Sequence, residues 1–331
     1  MNCFRALALP VIIATTLLSP SENLQASDKV KIDERTRASI NKALEWLKNR
    51  QRRDGSWGNT AITSFALLAY MSNGHVPNRG LYGPEVAKGV RYLLASAQNS
   101  GYLVHPSSGG NMYCHGMASL ALTQVWGMTG DDDVRKVLKR AIELIVKTQN
   151  HEGGWRYEPS PTGADISVTI MMMMALRGAK DSGLHVPDAT MRKAIQYIQA
   201  CHDTRSGGYK YQPYSHGPGY ARTAAGVCVL QLAGLYDAKE IHRAVQYLER
   251  EGDDRQHYWY GHYYAAHAFH QLGGRQWEDY YSRLKAKLLA TQRSSGEWHE
   301  RIEGDIGPEY QTSIAVLILS VPSHFLPIYQ R

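Results

Sequence analysis

Cysteine is scarce in this chain: four among 331 residues, and Cys3 stands in a segment expected to be removed. Cys114, Cys201 and Cys228 are left, an odd number with no Cys-x-x-Cys spacing. That argues against a disulfide framework and for buried free thiols. Phenylalanine is also rare, at 4, whereas tyrosine is plentiful, at 21. A tyrosine joins an apolar ring to a polar tip, so the imbalance suits a half-wet surface such as a cavity lining or rim. Long basic runs are missing too. The net charge of +7 is dispersed along the chain, which reads as a solvated surface and gives no ground for a nucleic-acid partner. After the N-terminus no stretch suits a membrane helix, because the apolar run Met171–Leu176 is bounded by Asp165 and Arg177. With 43% apolar and 20% charged residues, disordered and fibrous classes are excluded as well.

What is present begins with a targeting segment. Met1 to Arg5 carries a short positive start, and Ala6 to Leu18 is an apolar run too short to span a bilayer. Leu24-Gln25-Ala26 then offers small-residue cleavage near Ala26 or Ser27. Residues 1–26 are therefore expected to be a secretory signal peptide, with an uncleaved anchor as the alternative. Export to the periplasm or the medium follows, with no integral membrane span after cleavage.

The rest of the chain is one pattern written six times, at a spacing of about fifty residues. Each copy opens with an amphipathic helix, as in Ala43-Leu44-x-Trp46-Leu47, Ala194-Ile195-x-Tyr197-Ile198 and Ala244-Val245-x-Tyr247-Leu248. A turn of glycine and an aromatic follows: Gly55-Ser56-Trp57, Gly101-Tyr102, Gly153-Gly154-Trp155, Gly207-Gly208-Tyr209 and Gly296-Glu297-Trp298. The fifth copy is degenerate, with Tyr258-Trp259-Tyr260 in the turn's place. Second helices come next, around Ile62–Met71, Met112–Trp126, Asp165–Ala179, Tyr220–Leu235, His262–Leu272 and Tyr310–Val321. These are nearly free of charge, so they must be buried on every side. Six such pairs predict an all-α protein, an (α/α)6 toroid of six helical hairpins over residues 30–325. Apolar helices form its inner barrel and amphipathic helices its outer ring. An open solenoid is the alternative, but it needs polar capping units that the apolar last pair does not supply.

The turns Gln51–Trp57, Gln149–Trp155 and Gln292–Trp298 share Gln-x-x-x-Gly-x-Trp. They resemble the repeats of squalene and other terpenoid cyclases and of protein prenyltransferase β subunits. The resemblance covers nearly the whole mature chain. It implies the same toroid, with a central cavity that in those families often holds an isoprenoid chain.

Neither family's chemistry transfers residue by residue. Cyclases that start by protonation carry Asp-x-Asp-Asp, the middle Asp being the acid; the matching stretch here is Asp165-Ile166-Ser167-Val168-Thr169. A hydroxyl at Ser167 is no strong acid. Asp165 either acts as an altered acid with a pKa raised by burial, or caps its helix together with Ser167. The prenyltransferases' zinc ligands are likewise not matched: Gln311 falls where the His belongs, and the stretch around Tyr258–Tyr263 lacks the Asp and Cys. His267 and His270, three apart, suit either a shared metal or satisfied core positions. No metal or cofactor is predicted.

Polar residues cluster at the starts of the apolar helices, which in a toroid converge on one mouth. They include Tyr113, Cys114, His115, Asp165, Tyr220, Arg222, Tyr260, His262 and Tyr310. Asp165, His115, Arg222 and His262 are the candidate catalytic set, expected to approach one another across the barrel top. Tyr113, Tyr220, Tyr260 and Tyr310 are the candidate cavity mouth. Three readings stay open: a toroid binding an isoprenoid lipid or glycan, an isoprenoid-active enzyme with Asp165 as altered acid, and a secreted polysaccharide lyase or glycosidase. No protein partner can be named from the residues.

Overall fold

Charge separates the helices into two kinds, and the two kinds take two layers. The computed structural model describes residues 30–252, 257–300, 306–323 and 325–329; the expected signal peptide lies outside them. One set is α1 (Glu34–Arg50), α3 (Gly83–Ala95), α5 (Asp132–Lys147), α7 (Asp188–Ala200), α9 (Lys239–Glu251) and α11 (Gly274–Thr291). In α5 only Val134, Leu138, Ala141, Ile142 and Ile145 are buried, the single stripe of an amphipathic helix. The other set is α2 (Thr60–Met71), α4 (Met112–Thr129), α6 (Ile166–Asp181), α8 (Tyr220–Leu232), α10 (Tyr258–Leu272) and α12 (Pro308–Ser320). Every residue of α2 except Ile62 is buried, as expected for a helix surrounded by others. Apart from helices, the described residues hold isolated bridges, such as Trp155 with Asp165, but no named strand.

The inner helices close on themselves. Each packs on the next, from α2 through α4, α6, α8 and α10 to α12, and α12 packs back on α2. The protein is an all-helical α/α toroid, not an open solenoid. Its tightest outer partners differ from the expected hairpins. Each inner helix packs chiefly on the outer helix that follows it, α3 on α2 and so on to α11 on α10, while α1 packs on α12. Connection length accounts for this in several copies, though not in the first, where the α1–α2 loop (51–59) is shorter than the α2–α3 loop (72–82). Only Gly130 and Asp131 separate α4 from α5, and only Gly273 separates α10 from α11, whereas the loop from α7 to α8 covers 201–219. Short connections make antiparallel neighbours.

The glutamine turns are the joints of the ring. Gln51 Nε2 donates to Gly55 O in its own turn and to Glu85 O of the next outer helix, both at 2.9 Å. Gln149 Nε2 does the same with Gly153 O and with Thr190 O of α7. In the last copy, Gln292 Nε2 donates to Gly296 O and to Ser39 O of α1, at 2.9 Å for the latter. The joint that links the first copy to the second and the third to the fourth thus also links the sixth to the first. The turn glycine is required by the same packing: Gly153 has φ +97, and a Cβ there would meet the backbone carbonyl of Lys193. The degenerate fifth copy is no turn at all, since Tyr258, Trp259 and Tyr260 form the first turn of α10.

One end of the inner barrel is sealed by the chain's own C-terminal segment. Tyr329, in a 3₁₀ turn at Pro327–Tyr329, stacks on His267 with ring centroids 3.5 Å apart. Its hydroxyl lies 2.7 Å from that of Tyr263. Ile328 N donates to Gln124 Oε1 at 3.1 Å. Only a void of about 20 Å³ is left beside His267 and Tyr329.

Candidate functional site

The opposite end of the barrel, where the inner helices start, is open. Two series of residues alternate there. The first is Ala61, Tyr113, Ser167, Ala221, Tyr260 and Tyr310, one from each inner helix, and all six line a single cavity of about 490 Å³. The second lies two residues further on: Thr63, His115, Thr169, Thr223, His262 and Thr312. Two residues turn a helix by about 200°, so the second series points away from the cavity. Its threonines accept the turn aromatics' backbone N–H groups: Trp57 N to Thr63, Trp155 N to Thr169, Tyr209 N to Thr223 and Trp298 N to Thr312, at 2.9–3.1 Å.

This register separates the candidate catalytic set instead of gathering it. His115 stands where other copies have threonine, and Leu103 N donates to its Nδ1 at 3.0 Å. That fixes the proton on Nε2, which donates to Ala141 O at 3.3 Å. Burial holds its pKa down at about 4, so it is a neutral structural imidazole. His262 pairs through Nδ1 with the Tyr280 hydroxyl of α11 at 2.7 Å. With Tyr220 it lines a different groove, between α9, α10 and α11. Of the mouth tyrosines, Tyr113, Tyr260 and Tyr310 therefore face the cavity and Tyr220 does not. His267 and His270 do not come together either, since His267 stacks on Tyr329 while His270 packs against Trp277. Gln311 exchanges bonds with the backbone of Glu300, as acceptor from Glu300 N at 2.7 Å and donor to Glu300 O at 2.9 Å.

Asp165 is fully buried and is the N-cap of α6, accepting from Val168 N at 3.0 Å. The Ser167 side chain takes no part in the cap and lines the cavity instead. Burial raises the Asp165 carboxyl above the ordinary carboxylate range, and the Val168 N–H, the nearby Tyr211 hydroxyl and Arg156 partly oppose this. Its Oδ2 has no hydrogen-bond partner. A raised pKa means that the folded state favours the protonated form. The corresponding stability is present below the unfolded value of 3.8 and is lost as pH rises through the higher folded value. Asp165→Asn, which still offers a capping oxygen, is therefore expected to equal the wild type near pH 4 and exceed it at pH 7. Asp165→Ala is expected to lose about 0.5–2 kcal/mol of cap energy. Urea melts across this pH range measure both, and an Asn variant less stable than wild type at pH 7 would show that the carboxylate itself is needed.

Arg222 does line the cavity, together with Asn59, Asn111 and Phe65. Burial pushes the Tyr113 and Tyr260 phenols well above their usual range, so both stay neutral. Among the lining residues that escaped the sequence analysis are Tyr157 and Tyr211, whose hydroxyls lie 2.9 Å apart. A signal existed: Trp155-Arg156-Tyr157 and Tyr209-Lys210-Tyr211 place a tyrosine two residues after the turn aromatic in the same manner. No Asp or Glu is among the described lining residues, and no cluster of three His, Cys, Asp or Glu among the described residues has the form of a metal site.

Comparison with known proteins separates fold from function. No family model matches the chain. A squalene–hopene cyclase of Bradyrhizobium diazoefficiens is 35% identical over a stretch covering 19% of this chain and 11% of the cyclase. An inactive variant of an α-1,6-mannanase from Salegentibacter, in complex with α-1,6-mannotriose, is similar in structure with TM-score 0.66 and 10% identity. The match covers 87% of this chain and 99% of that one. Cellobiose 2-epimerase from Bacillus thermoamylovorans gives 0.67 and 12%, covering 86% and 98%. A type II terpene cyclase from Scytonema gives 0.62 and 14%, covering 88% and 98%. Identities this low carry the fold alone. The protein is an α/α toroid whose repeats resemble those of the terpenoid cyclases.

Proposed function

We propose that this protein binds a short saccharide in the mouth cavity and neither protonates nor hydrolyses it. The observation that carries the reading is the polar part of the lining, Tyr113, Tyr157, Tyr211, Tyr260, Tyr310, Asn59, Asn111, Ser167, His257 and Arg222, which is set among Ala61, Ile62, Phe65, Cys114, Ala221 and Ile306 with no carboxylate among the described residues. Glycoside hydrolysis generally needs two carboxyl groups flanking the bond. Cyclisation by protonation needs a strong acid, and the residue facing the cavity at the matching position is Ser167. Tyrosines, by contrast, offer ring faces to the C–H surface of a sugar and hydroxyls to its oxygens. Below the cavity the barrel is filled by Tyr264, whose hydroxyl meets Met171 Sδ at 2.9 Å, and by Tyr263 against Tyr329, which together form its floor. With the expected signal peptide, the ligand would be met outside the cytoplasm.

The stretch similar to squalene–hopene cyclase favours a second reading, an isoprenoid ligand with Asp165 as altered acid. Saturation-transfer NMR separates the two. The protein is mixed in turn with a panel of neutral and acidic trisaccharides and with farnesol. Saccharide signals are expected, with affinity lowered about tenfold or more in Tyr260→Ala, since burying an aromatic ring contributes about 1.5–3 kcal/mol. Transfer to farnesol alone would replace the first reading by the second.

A further inference from the structure

Arg222 is the one lysine or arginine among the described residues lining the mouth cavity. The corresponding positions of the other inner helices hold Ile62, Cys114, Val168, Gly261 and Gln311, so the repeat does not require a cation there. Its guanidinium is left largely unused by the fold. Nε is buried without a hydrogen-bond partner, and the contact of Nη2 with Gly217 O is at the outer limit, 3.5 Å. The group is nevertheless held in place. The backbone at Gly219 runs so close that a Cβ there would lie 2.7 Å from Nη2 and 3.1 Å from Cζ. No carboxylate among the described residues pairs with it. Six helix N-termini add their positive dipole ends around the same space. A buried donor without an acceptor costs free energy. A ligand bringing an oxyanion to Nε and Nη2 together would remove that cost through a two-pronged, charge-assisted pair.

We propose that Arg222 is an anion receptor and that the ligand is an acidic saccharide of the uronate class, bound through a sugar carboxylate. The proposal rests on the saccharide reading above and narrows it. The guanidinium fork matches the planar carboxylate, and the tyrosines surround the ring that bears it.

The test is calorimetric titration of the full chain with trigalacturonate and with its fully methyl-esterified form, which keeps the sugar and removes the charge. In the wild type the acid is expected to bind at least tenfold more tightly than the ester, with a preference that weakens as salt is added. In Arg222→Gln the two forms should bind alike, at the affinity of the ester. Arg222→Lys should keep part of the preference, and it preserves the test if the Gln variant fails to melt like the wild type. Equal affinities in the wild type, or a preference that survives Arg222→Gln, would overturn the anion receptor and leave the saccharide reading standing. Binding of neither form would overturn both.

Discussion

Trp155→Ala is expected to destabilise the protein by about 3–5 kcal/mol, the usual range for removing a buried tryptophan ring. The indole is fully buried between layers: Nε1 donates to Ile145 O near the end of α5 at 2.8 Å, while the backbone N–H reaches Thr169 on α6. Trp155→Phe keeps most of the ring and should lose mainly that hydrogen bond, about 1 kcal/mol. Trp57 and Trp298 are built the same way, with Nε1 on Leu47 O and Leu288 O. The three positions together test closure. In a closed ring the first and sixth copies are not ends, so all three alanine variants should fall in the same range of about 3–5 kcal/mol. An open solenoid frays from its termini, and there Trp57→Ala and Trp298→Ala would be much the cheaper. Urea unfolding followed by far-UV circular dichroism reads this out; two separate transitions would also argue against a single ring.

Ending the chain at Leu326 is expected to cost about 3–6 kcal/mol, since it removes the buried side chains of Ile328 and Tyr329 at about 1.5–3 kcal/mol each. It also leaves Gln124 Oε1 without the Ile328 N–H and the Tyr263 hydroxyl without its partner. Tyr329→Phe isolates the hydroxyl pair and should cost only about 1 kcal/mol. Thermal melts of the three proteins decide it. A truncated chain that melts with the full one would show that the segment merely rests against the barrel.

The turns were the most legible part of the sequence because their residues answer local demands. Gly153 and its counterparts need positive φ, Gln149 has backbone carbonyls within reach, and Trp155 packs over the end of its own outer helix. The fifth copy misled for a related reason. Tyr258-Trp259-Tyr260 has the aromatic content of a turn, but without a glycine those residues continued into α10. Tyr329 was invisible as a seal, since nothing near it in sequence records that the barrel end lies beside it. Tyr157 and Tyr211 had a pattern to betray them, but their loops bend over the mouth for reasons that lie in contacts between copies.

The sequence alone therefore determined twelve helices in two kinds, their alternation, and the ring that six apolar helices must make to bury themselves. It also placed Tyr113, Tyr260, Tyr310 and Arg222 at the mouth. Only the tertiary structure decided which first-turn residues look inward. An amphipathic helix such as α5 announces its buried face through its period, but α2, α4 and α10 are apolar all round, so their pattern carries no phase. Packing against two inner neighbours and an outer helix sets their rotation. That rotation turned Ser167 into the cavity and His115 and His262 away from it, and with them the choice between an acid and a hydroxyl at the centre of the site.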